Sequence, residues 1–220
     1  MLEKTQFYLH FCRVNCIFAA RLKKKSMSNQ DYWPTFSIIT AVHDQASDIR
    51  QNLPVMLTQQ YEGSYEVIVV DESSTDETTD VLKAQKADFP HLYTTFLPHY
   101  HFQRNRRRLA LTICVKAAKH DWLIFTEADT PLPADCWLKE LAEFVKAPAI
   151  ILLGYINRKS GDVRLKTFDE VSQVQKAIRK TEHCRESKSG KWKLHLTSGG
   201  GYDFMIVRAD LGHEVLRLFE

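Results

Sequence analysis

Short apolar runs alternate with longer stretches of helical spacing through the central part of the chain. The apolar runs predict strands at Phe36–Val42, Tyr65–Val70, Leu92–Leu97, Trp122–Phe125 and Ala149–Tyr155. The stretches between them predict helices at Asp48–Gln60, from Thr75 or Asp76 to about Ala87, at Arg107–Lys119 and at Asp135–Lys146. Because strands and helices alternate, the pattern favours an α/β fold with a mostly parallel central sheet and helices on both faces.

The pattern changes after the fifth predicted strand. Residues 156–190 are polar and charged, with a helical stretch near Asp169–Lys180. Strand-like character returns in Leu194–Arg208, around three consecutive glycines, and Ala209–Phe219 predicts a last helix. The 220 residues suffice for one large domain, or one domain with an appendage. We therefore assign residues 34–220 to a single domain.

The first 33 residues differ from the rest of the chain. Aromatic and aliphatic residues dominate Phe7–Ala20, and a basic run, Arg21–Lys25, follows. A signal peptide has the opposite order, and a spanning helix needs roughly 20 mostly apolar residues, without interruptions such as Arg13 and Asn15. Apolar residues at helical spacing predict an amphipathic, membrane-proximal helix or the remnant of a longer anchor. A helix packed on the main domain fits the same pattern.

Charge and cysteine content narrow the class of protein. The formal net charge is only +3 and both signs are mixed along the chain, so we expect no nucleic-acid partner. The five cysteines are an odd number without a CxxC pair, which indicates a reducing compartment and no disulfide framework. We therefore expect a cytoplasmic protein, with residues 1–33 as the means of attachment to the inner face of the cell membrane.

Two acidic clusters follow predicted strands. Asp71–Asp76 comes directly after Val67–Val70, and Glu127-Ala128-Asp129 comes directly after Trp122–Phe125. Ligands of an open α/β sheet bind beyond the carboxyl ends of its strands. A diphosphate about 4 Å from a carboxylate meets repulsion of about 4 kcal/mol per pair of charges at an effective dielectric of about 20, unless a cation bridges them. Mg²⁺ or Mn²⁺ prefers the oxygen ligands that these clusters supply.

The two clusters predict different contacts. On an extended segment, Glu127 and Asp129 would point the same way and form a cation site, although an ordinary acidic loop is the alternative. Asp71, at the end of an apolar strand, is placed to accept a hydrogen bond from a nucleobase N–H or a ribose hydroxyl. Helix capping is the alternative for Ser74–Asp76. No GxGxxG or GxxxxGK[ST] occurs, which disfavours dinucleotide oxidoreductases and P-loop NTPases.

Three motifs in order carry a family resemblance. They are residues 36–40 (FSIIT), 66–78 (EVIVVDESSTDET) and 121–129 (DWLIFTEAD), and they make residues 35–146 resemble a family 2 glycosyltransferase with the GT-A fold. The resemblance implies transfer of a sugar from a nucleotide-diphosphate sugar, for which we expect a UDP-sugar, to a hydroxyl of a glycan or lipid-linked acceptor. It also implies dependence on Mg²⁺ or Mn²⁺, inversion of configuration, and a role in cell-surface polysaccharide synthesis.

The resemblance assigns roles to individual residues. Glu127 and Asp129 match the two acids of the DxD motif that holds the metal, with Glu127 in place of the usual aspartate. Four further residues match positions around the nucleotide, on the loop after the first strand, at the end of the second strand and at the start of the third helix: Thr40, His43, Asp71 and Arg107.

The C-terminal end departs from the family pattern. Gly199–Ile206 resembles the family's Gly-rich strand, but the chain reaches Glu220 without the acidic ED motif that supplies the catalytic base. An inverting transfer needs a base to deprotonate the acceptor hydroxyl. The remaining candidates are Glu214 and Asp203, and we expect Asp203 on the surface or in a turn. The pattern is typical of a truncated chain with an incomplete acceptor part, of an atypical base, or of an inactive nucleotide-binding relative.

Overall fold

The computed structural model describes residues 33–98, 105–132, 135–145, 151–156, 163–174 and 202–219. The predicted amphipathic segment lies outside the described residues, as does Glu220. None of the described helices is long and apolar enough to cross a membrane.

Seven strands form one sheet in the order β3-β2-β1-β4-β7-β5-β6. In chain order they are β1 Phe36–Val42, β2 Tyr65–Asp71, β3 Leu92–Phe96, β4 Trp122–Thr126, β5 Ile151–Ile156, β6 Val163–Phe168 and β7 Phe204–Arg208. Strands β3, β2, β1 and β4 are mutually parallel, and the remaining pairings are antiparallel. The carboxyl ends of the four parallel strands therefore meet at one edge of the sheet, which we call the carboxyl edge.

The far half of the sheet differs from the simple alternation that the sequence predicts. Strand β5 has the same direction as β4 because both are antiparallel to β7, but β7 lies between them. Strand β6 falls in the polar segment where no strand was predicted. It is an edge strand with five exposed or half-buried residues before the buried Phe168, so it has no apolar run that would reveal it.

Helices cover both faces of the sheet, as predicted. They are α1 Ala46–Leu57, α2 Thr78–Asp88, α3 Arg106–Ala117, α4 Trp137–Ala142 and α5 Gly212–Val215. Helices α1, α2 and α4 bury their apolar residues on one face, and α3 and α5 bury theirs on the other. Short 3-10 turns at Ala209–Leu211 and Leu216–Phe219 flank α5, so the predicted last helix is a composite element.

Pro54 lies in the body of α1, where a proline normally kinks or ends a helix. It is half-buried, and its carbonyl still accepts hydrogen bonds from the backbone N–H and the hydroxyl of Thr58 at the helix end. The helix therefore continues through the proline for one further turn.

Asp76 fixes the start of two helices. Its Oδ2 accepts a hydrogen bond from the backbone N–H of Ala46 at 3.0 Å, and its Oδ1 accepts one from the N–H of Thr78 at 2.9 Å. These are the first residues of α1 and α2, whose N–H groups have no partner within their own helix. Asp76, one of the two predicted caps, thus joins the two helices at the carboxyl edge.

Candidate functional site

The two acidic clusters lie on the strands that flank β1, at the carboxyl edge. Strand β2 ends at Asp71, which pairs with Val42 at the end of β1. Strand β4 ends at Thr126, one residue before Glu127, and also pairs with β1. The fold therefore brings together the two clusters that the sequence separates by more than fifty residues.

Asp71 is buried, and its carboxylate holds the loop that follows β2. Its Oδ1 accepts hydrogen bonds from the backbone N–H of Ser74 at 2.8 Å and from the Ser74 hydroxyl at 2.7 Å. Its Oδ2 accepts one from the hydroxyl of Thr79, in the first turn of α2, at 2.7 Å. A carboxylate has about four acceptor positions, so this orientation leaves capacity for one more donor.

Arg107 joins the two acidic clusters across the end of β1. Its guanidinium forms an ion pair with Glu127 after β4, and lies 3.8 Å from Oε1 of Glu72 after β2. Between them it donates to the backbone carbonyl of Ala41 at 3.3 Å. Asp71 lies on the face of the sheet covered by α1 and α2, whereas Glu72 faces Arg107 on α3. The Arg107 guanidinium thus compensates the charges of Glu72 and Glu127 at the edge where ligands of such sheets bind. We call these three side chains the bridge.

Burial dominates the electrostatics of this bridge. It raises the pKa of Glu127, although the ion pair with Arg107 opposes the shift and the charge of Asp129 adds to it. Burial likewise raises the pKa of Glu72, opposed by the charges of Arg107, His43 and Arg106. Both acids lose hydration on folding, so their charged forms depend on the arginine.

The loops after β1 and β2 hold each other in strained conformations. Asp44 and Ser73 both have positive φ, at 51° and 66°, a region that costs energy for residues with a side chain. The Oδ1 of Asp44 accepts a hydrogen bond from the N–H of Thr75 at 2.6 Å. Arg106 donates to the Ser73 hydroxyl at 2.6 Å and to the carbonyl of Glu72 at 2.8 Å. The backbone at this part of the edge is therefore fixed before any ligand binds.

Glu127 and Asp129 lie in a turn, and the expected extended segment is not formed. The N–H of Thr130 donates to the carbonyl of Glu127 at 3.2 Å, and Asn52 on α1 donates to the carbonyl of Ala128 at 2.7 Å. Within the described part of the chain, the Asp129 carboxylate forms no hydrogen bond and no ion pair, whereas Glu127 is paired with Arg107. The Asp129 carboxylate is therefore available to bind a ligand, whereas the Glu127 carboxylate is already paired.

This donor set fits a cation that arrives with a diphosphate. In the described residues, no group of three or more His, Cys, Asp or Glu side chains forms a cage for a metal ion. Mg²⁺ typically needs only one or two protein carboxylates, because phosphate oxygens and water complete its six ligands. Asp129, half-buried and without a partner in that part of the chain, meets this requirement, and Glu127 could contribute only by releasing Arg107.

Two predicted nucleotide contacts differ in accessibility. Thr40 lies within β1, which extends to Val42 as the apolar run predicts, and not on the following loop, where the family resemblance placed it. It is fully buried, and its hydroxyl has no hydrogen-bond partner among the residues that the structure describes. His43 does lie on the loop, with 55% of its side chain exposed and its Nε2 3.5 Å from Oδ2 of Asp44.

The structure separates the two candidates for a catalytic base. Asp203 precedes β7, beside the end of β4, but it is buried, so the expectation of a surface position was wrong. Its Oδ2 accepts a hydrogen bond from the N–H of Ile156 at 2.7 Å, which ties the end of β5 to the start of β7. Glu214 is exposed on α5, which begins near the opposite edge of the sheet because β7 is antiparallel to β4.

Three residues of the site were not singled out from the sequence: Glu72, Arg106 and Asp44. Glu72 follows Asp71 directly, and period-two alternation in β2 places it on the opposite face, which is the signal that could have identified it. Arg106 and Asp44 act through loop contacts between distant segments, which no local pattern predicts.

Comparison with known families decides the classification. The family model described as "Glycosyl transferase family 2" matches residues 37–211, which is most of the chain. The chain belongs to glycosyl transferase family 2. The matched range includes both acidic clusters and Arg107 as well as β7. A comparison with curated protein sequences gives no match.

Solved structures show the same GT-A fold. The mannosyltransferase PcManGT from Pyrobaculum calidifontis, in complex with GDP-Man and Mn²⁺, has a TM-score of 0.57 and 20% identity, over 96% of this chain and 56% of that one. TarS 1–349 from S. aureus has a TM-score of 0.53 and 20% identity, over 82% and 48%. The complex of TarS 1–349 with UDP-GlcNAc has a TM-score of 0.45 and 22% identity, over 53% and 33%. The chain thus spans about half the length of the first of these structures.

Proposed function

We propose that the protein transfers a sugar from a nucleotide-diphosphate sugar, a UDP-sugar, to an acceptor hydroxyl in a metal-dependent reaction that inverts the anomeric configuration. The observation that carries the proposal is the pair of acidic clusters at the carboxyl edge, bridged by Arg107. This arrangement combines a carboxylate without a partner, Asp129, with a guanidinium that suits phosphate oxygens. Membership of the family supports the same reaction class.

The nucleotide would lie along the ends of β2, β1 and β4. Asp71, already oriented by Ser74 and Thr79, accepts a hydrogen bond from the base or ribose. Arg107 donates to the ribose or diphosphate, and the exposed His43 lines the pocket beside it. Thr40 contributes only through its backbone and by shaping the strand end, since its side chain is buried.

Asp129 is the first choice for a cation contact, and Glu127 is the second because it must release Arg107. A bound Mg²⁺ or Mn²⁺ would stabilise the negative charge that develops on the departing diphosphate. The similarity to a mannosyltransferase solved with GDP-Man and Mn²⁺ supports a divalent cation. The chain's own groups fix the diphosphate and keep the acids from repelling it.

Attachment to a membrane is part of the proposal. Residues 1–33 would place the enzyme on the cytoplasmic face of the cell membrane, where a glycan or lipid-linked acceptor for cell-surface polysaccharide is available. Co-sedimentation with liposomes of anionic lipid tests this part of the proposal. The assay compares the membrane-bound fraction of the full chain with that of a chain that begins at residue 34. Equal partition of the two chains would contradict it.

Calorimetric titration with UDP, in the presence of Mn²⁺ or of EDTA, tests the donor site, with GDP and ADP as competing nucleotides. We expect Mn²⁺-dependent binding of UDP that Asp129→Ala removes without a change in thermal stability, because the Asp129 carboxylate has no hydrogen bond to any described residue that could be lost. Asp88→Ala is the matched control, since Asp88 is an exposed acid at the far end of α2. Unchanged Mn²⁺-dependent binding by Asp129→Ala would remove the metal assignment.

One observation favours an inactive nucleotide-binding relative as the second candidate. Asp203 is buried against a backbone N–H and Glu214 is exposed away from the carboxyl edge, so neither predicted base faces the bridge in the described part of the chain. Nucleotide release from UDP-sugars distinguishes the two functions. Binding without release of UDP, over acceptors of several classes, would favour the inactive relative.

A further inference from the structure

Phe96 is the most exposed of the large apolar residues in the described part of the chain. Its exposed fraction is 68%, compared with 47% for Tyr93 on the same strand. The neighbouring Leu92 and Leu97 are buried. An exposed phenylalanine on a regular strand gains nothing from the hydrophobic effect in the free protein. Stability of the fold therefore does not explain a phenylalanine at this position.

Phe96 lies beside Asp71, the acid that is predicted to bind the nucleoside. It is the last residue of β3 and pairs with Asp71 in the parallel register. Side chains of paired residues in parallel strands point to the same face, and Leu92 and Val67, which pair earlier in the same register, share one core. The Phe96 ring therefore stands at the carboxyl edge on the same side of the sheet as the Asp71 carboxylate.

The backbone that carries this ring is held firmly to the site. The N–H of Leu97 donates to the carbonyl of Asp71 at 2.7 Å. The carbonyl of Leu97 accepts a hydrogen bond from Ser73, whose hydroxyl accepts one from Arg106 at 2.6 Å. A ligand that stacks on Phe96 would thus meet a backbone already held by these hydrogen bonds, which lowers the entropic cost of binding.

The distance between β3 and β4 leaves room for a nucleotide that extends across the strand ends from Asp129 to Phe96. Three inter-strand distances of about 4.8 Å separate β3 from β4, or about 14 Å in all. The diphosphate is expected near Asp129 after β4, so the nucleoside extends over β1 and β2 toward β3. We propose that Phe96 is the stacking platform for the nucleobase of the donor, an inference that rests on the proposed function.

Tyr93 supplies a matched control on the same strand. It is also exposed, but it lies three residues earlier and on the other face, and Lys86 covers its ring at 5.5 Å from the centroid. Loss of base stacking on an aromatic residue typically costs about 1–3 kcal/mol. We therefore expect Phe96→Ala to weaken nucleotide binding by about 5- to 150-fold, and Tyr93→Ala to change it less than twofold.

The experiment compares Kd values of the two variants and the wild-type chain for UDP with Mn²⁺ and for UMP with EDTA. The same factor is expected for both nucleotides, because the base is common to them and the metal is not. Phe96→Trp should retain binding, and its fluorescence should be quenched on addition of UDP, whereas Tyr93→Trp should show no such change. The exposed position makes misfolding of these variants a small concern, and thermal unfolding checks it.

The outcomes separate this inference from the proposed function. A wild-type chain that binds none of UDP, GDP and ADP overturns the proposed function, and the stacking role falls with it. A wild-type chain that binds UDP while Phe96→Ala binds equally well overturns the stacking role alone. An effect of Phe96→Ala that appears only with Mn²⁺ also contradicts it, since that result would indicate a contact through the diphosphate.

Discussion

Replacement of Arg107 by methionine tests the bridge between the acidic clusters directly. The change keeps much of the apolar stem and removes the only charge that compensates both Glu72 and Glu127 among the described residues. Removal of one partner from a buried ion pair typically costs about 3–5 kcal/mol, because the other charge stays buried without compensation. The acids here are 10% and 12% exposed, but Arg107 is 35% exposed, so solvent screens part of the pair.

We therefore expect a loss of about 2–3 kcal/mol at pH 7.5, which reaches only the lower limit of the range for a fully buried pair. For a domain of this size, each kcal/mol corresponds to about 2–4 °C, so the midpoint of thermal unfolding should fall by about 4–12 °C. Urea unfolding followed by circular dichroism, in buffer with EDTA, measures the free energy. Arg50→Met is the matched control, since its ion pair with Glu77 is 54% and 71% exposed and is expected to contribute about 0–1 kcal/mol.

The pH dependence gives the sharper test. Burial raises the pKa of Glu127 and Glu72 in the folded chain above the value of about 4.3 for an unfolded glutamate. Between these values the folded state binds more protons, so these acids cost stability as the pH rises through the folded pKa. Without Arg107 both pKa values should rise further, so Arg107→Met should recover part of its lost stability on acidification toward pH 5.

A double-mutant cycle completes the argument. Addition of Glu127→Gln to Arg107→Met should restore about half of the lost free energy, because the charge left without a partner is then removed. Equal destabilisation of Arg107→Met at pH 5 and pH 7.5, together with no recovery in the double variant, would refute the electrostatic account of the bridge.

Three further variants or modifications test other contacts. Asp76→Ala should lower the free energy of unfolding in urea by about 2 kcal/mol, about 1 kcal/mol for each helix start that Asp76 caps. A loss no larger than that of Asp88→Ala would contradict the double cap. Gly154→Ala should destabilise by about 1–3 kcal/mol, because its Cβ would lie 2.0 Å from the Phe204 ring; the same change should be milder with Phe204→Leu. Cys114 should resist iodoacetamide at pH 8, because burial raises the pKa of its thiol; mass spectrometry should find it labelled only after unfolding.

The parallel half of the sheet could be predicted because its signals are local. Four apolar runs, each followed by turn or acidic residues, define β1 to β4, and their ends carry both acidic clusters. Strand β6 has no apolar run, and the place of β7 between β4 and β5 depends on pairing between segments about eighty residues apart. Periodicity within a short window carries no information on such pairings.

In the candidate site, too, features with a local sequence signal could be predicted and contacts between distant segments could not. Acids at strand ends were visible, but the pairing of Glu127 with Arg107 was not, since it joins a turn to a helix on another part of the chain. The family resemblance placed Thr40 on the loop although it lies inside the correctly predicted first strand. Asp203 was expected at the surface because burial at the edge of a sheet depends on segments distant in sequence. In the sequence Asp203 resembles a surface residue, yet its carboxylate is buried and accepts a hydrogen bond from the backbone N–H of Ile156 at the end of β5.

The insertion of β7 between β4 and β5 has a consequence for synthesis of the chain on the ribosome. The segment through Thr126 contains all four parallel strands and can pair as it emerges, whereas one side of β4 has no partner until Phe204–Arg208 has been made. An open strand edge is a template for association with other chains, and pairing across such a separation is slow. Nascent chains that pause before residue 204 should therefore depend on chaperones more than chains that pause after residue 208.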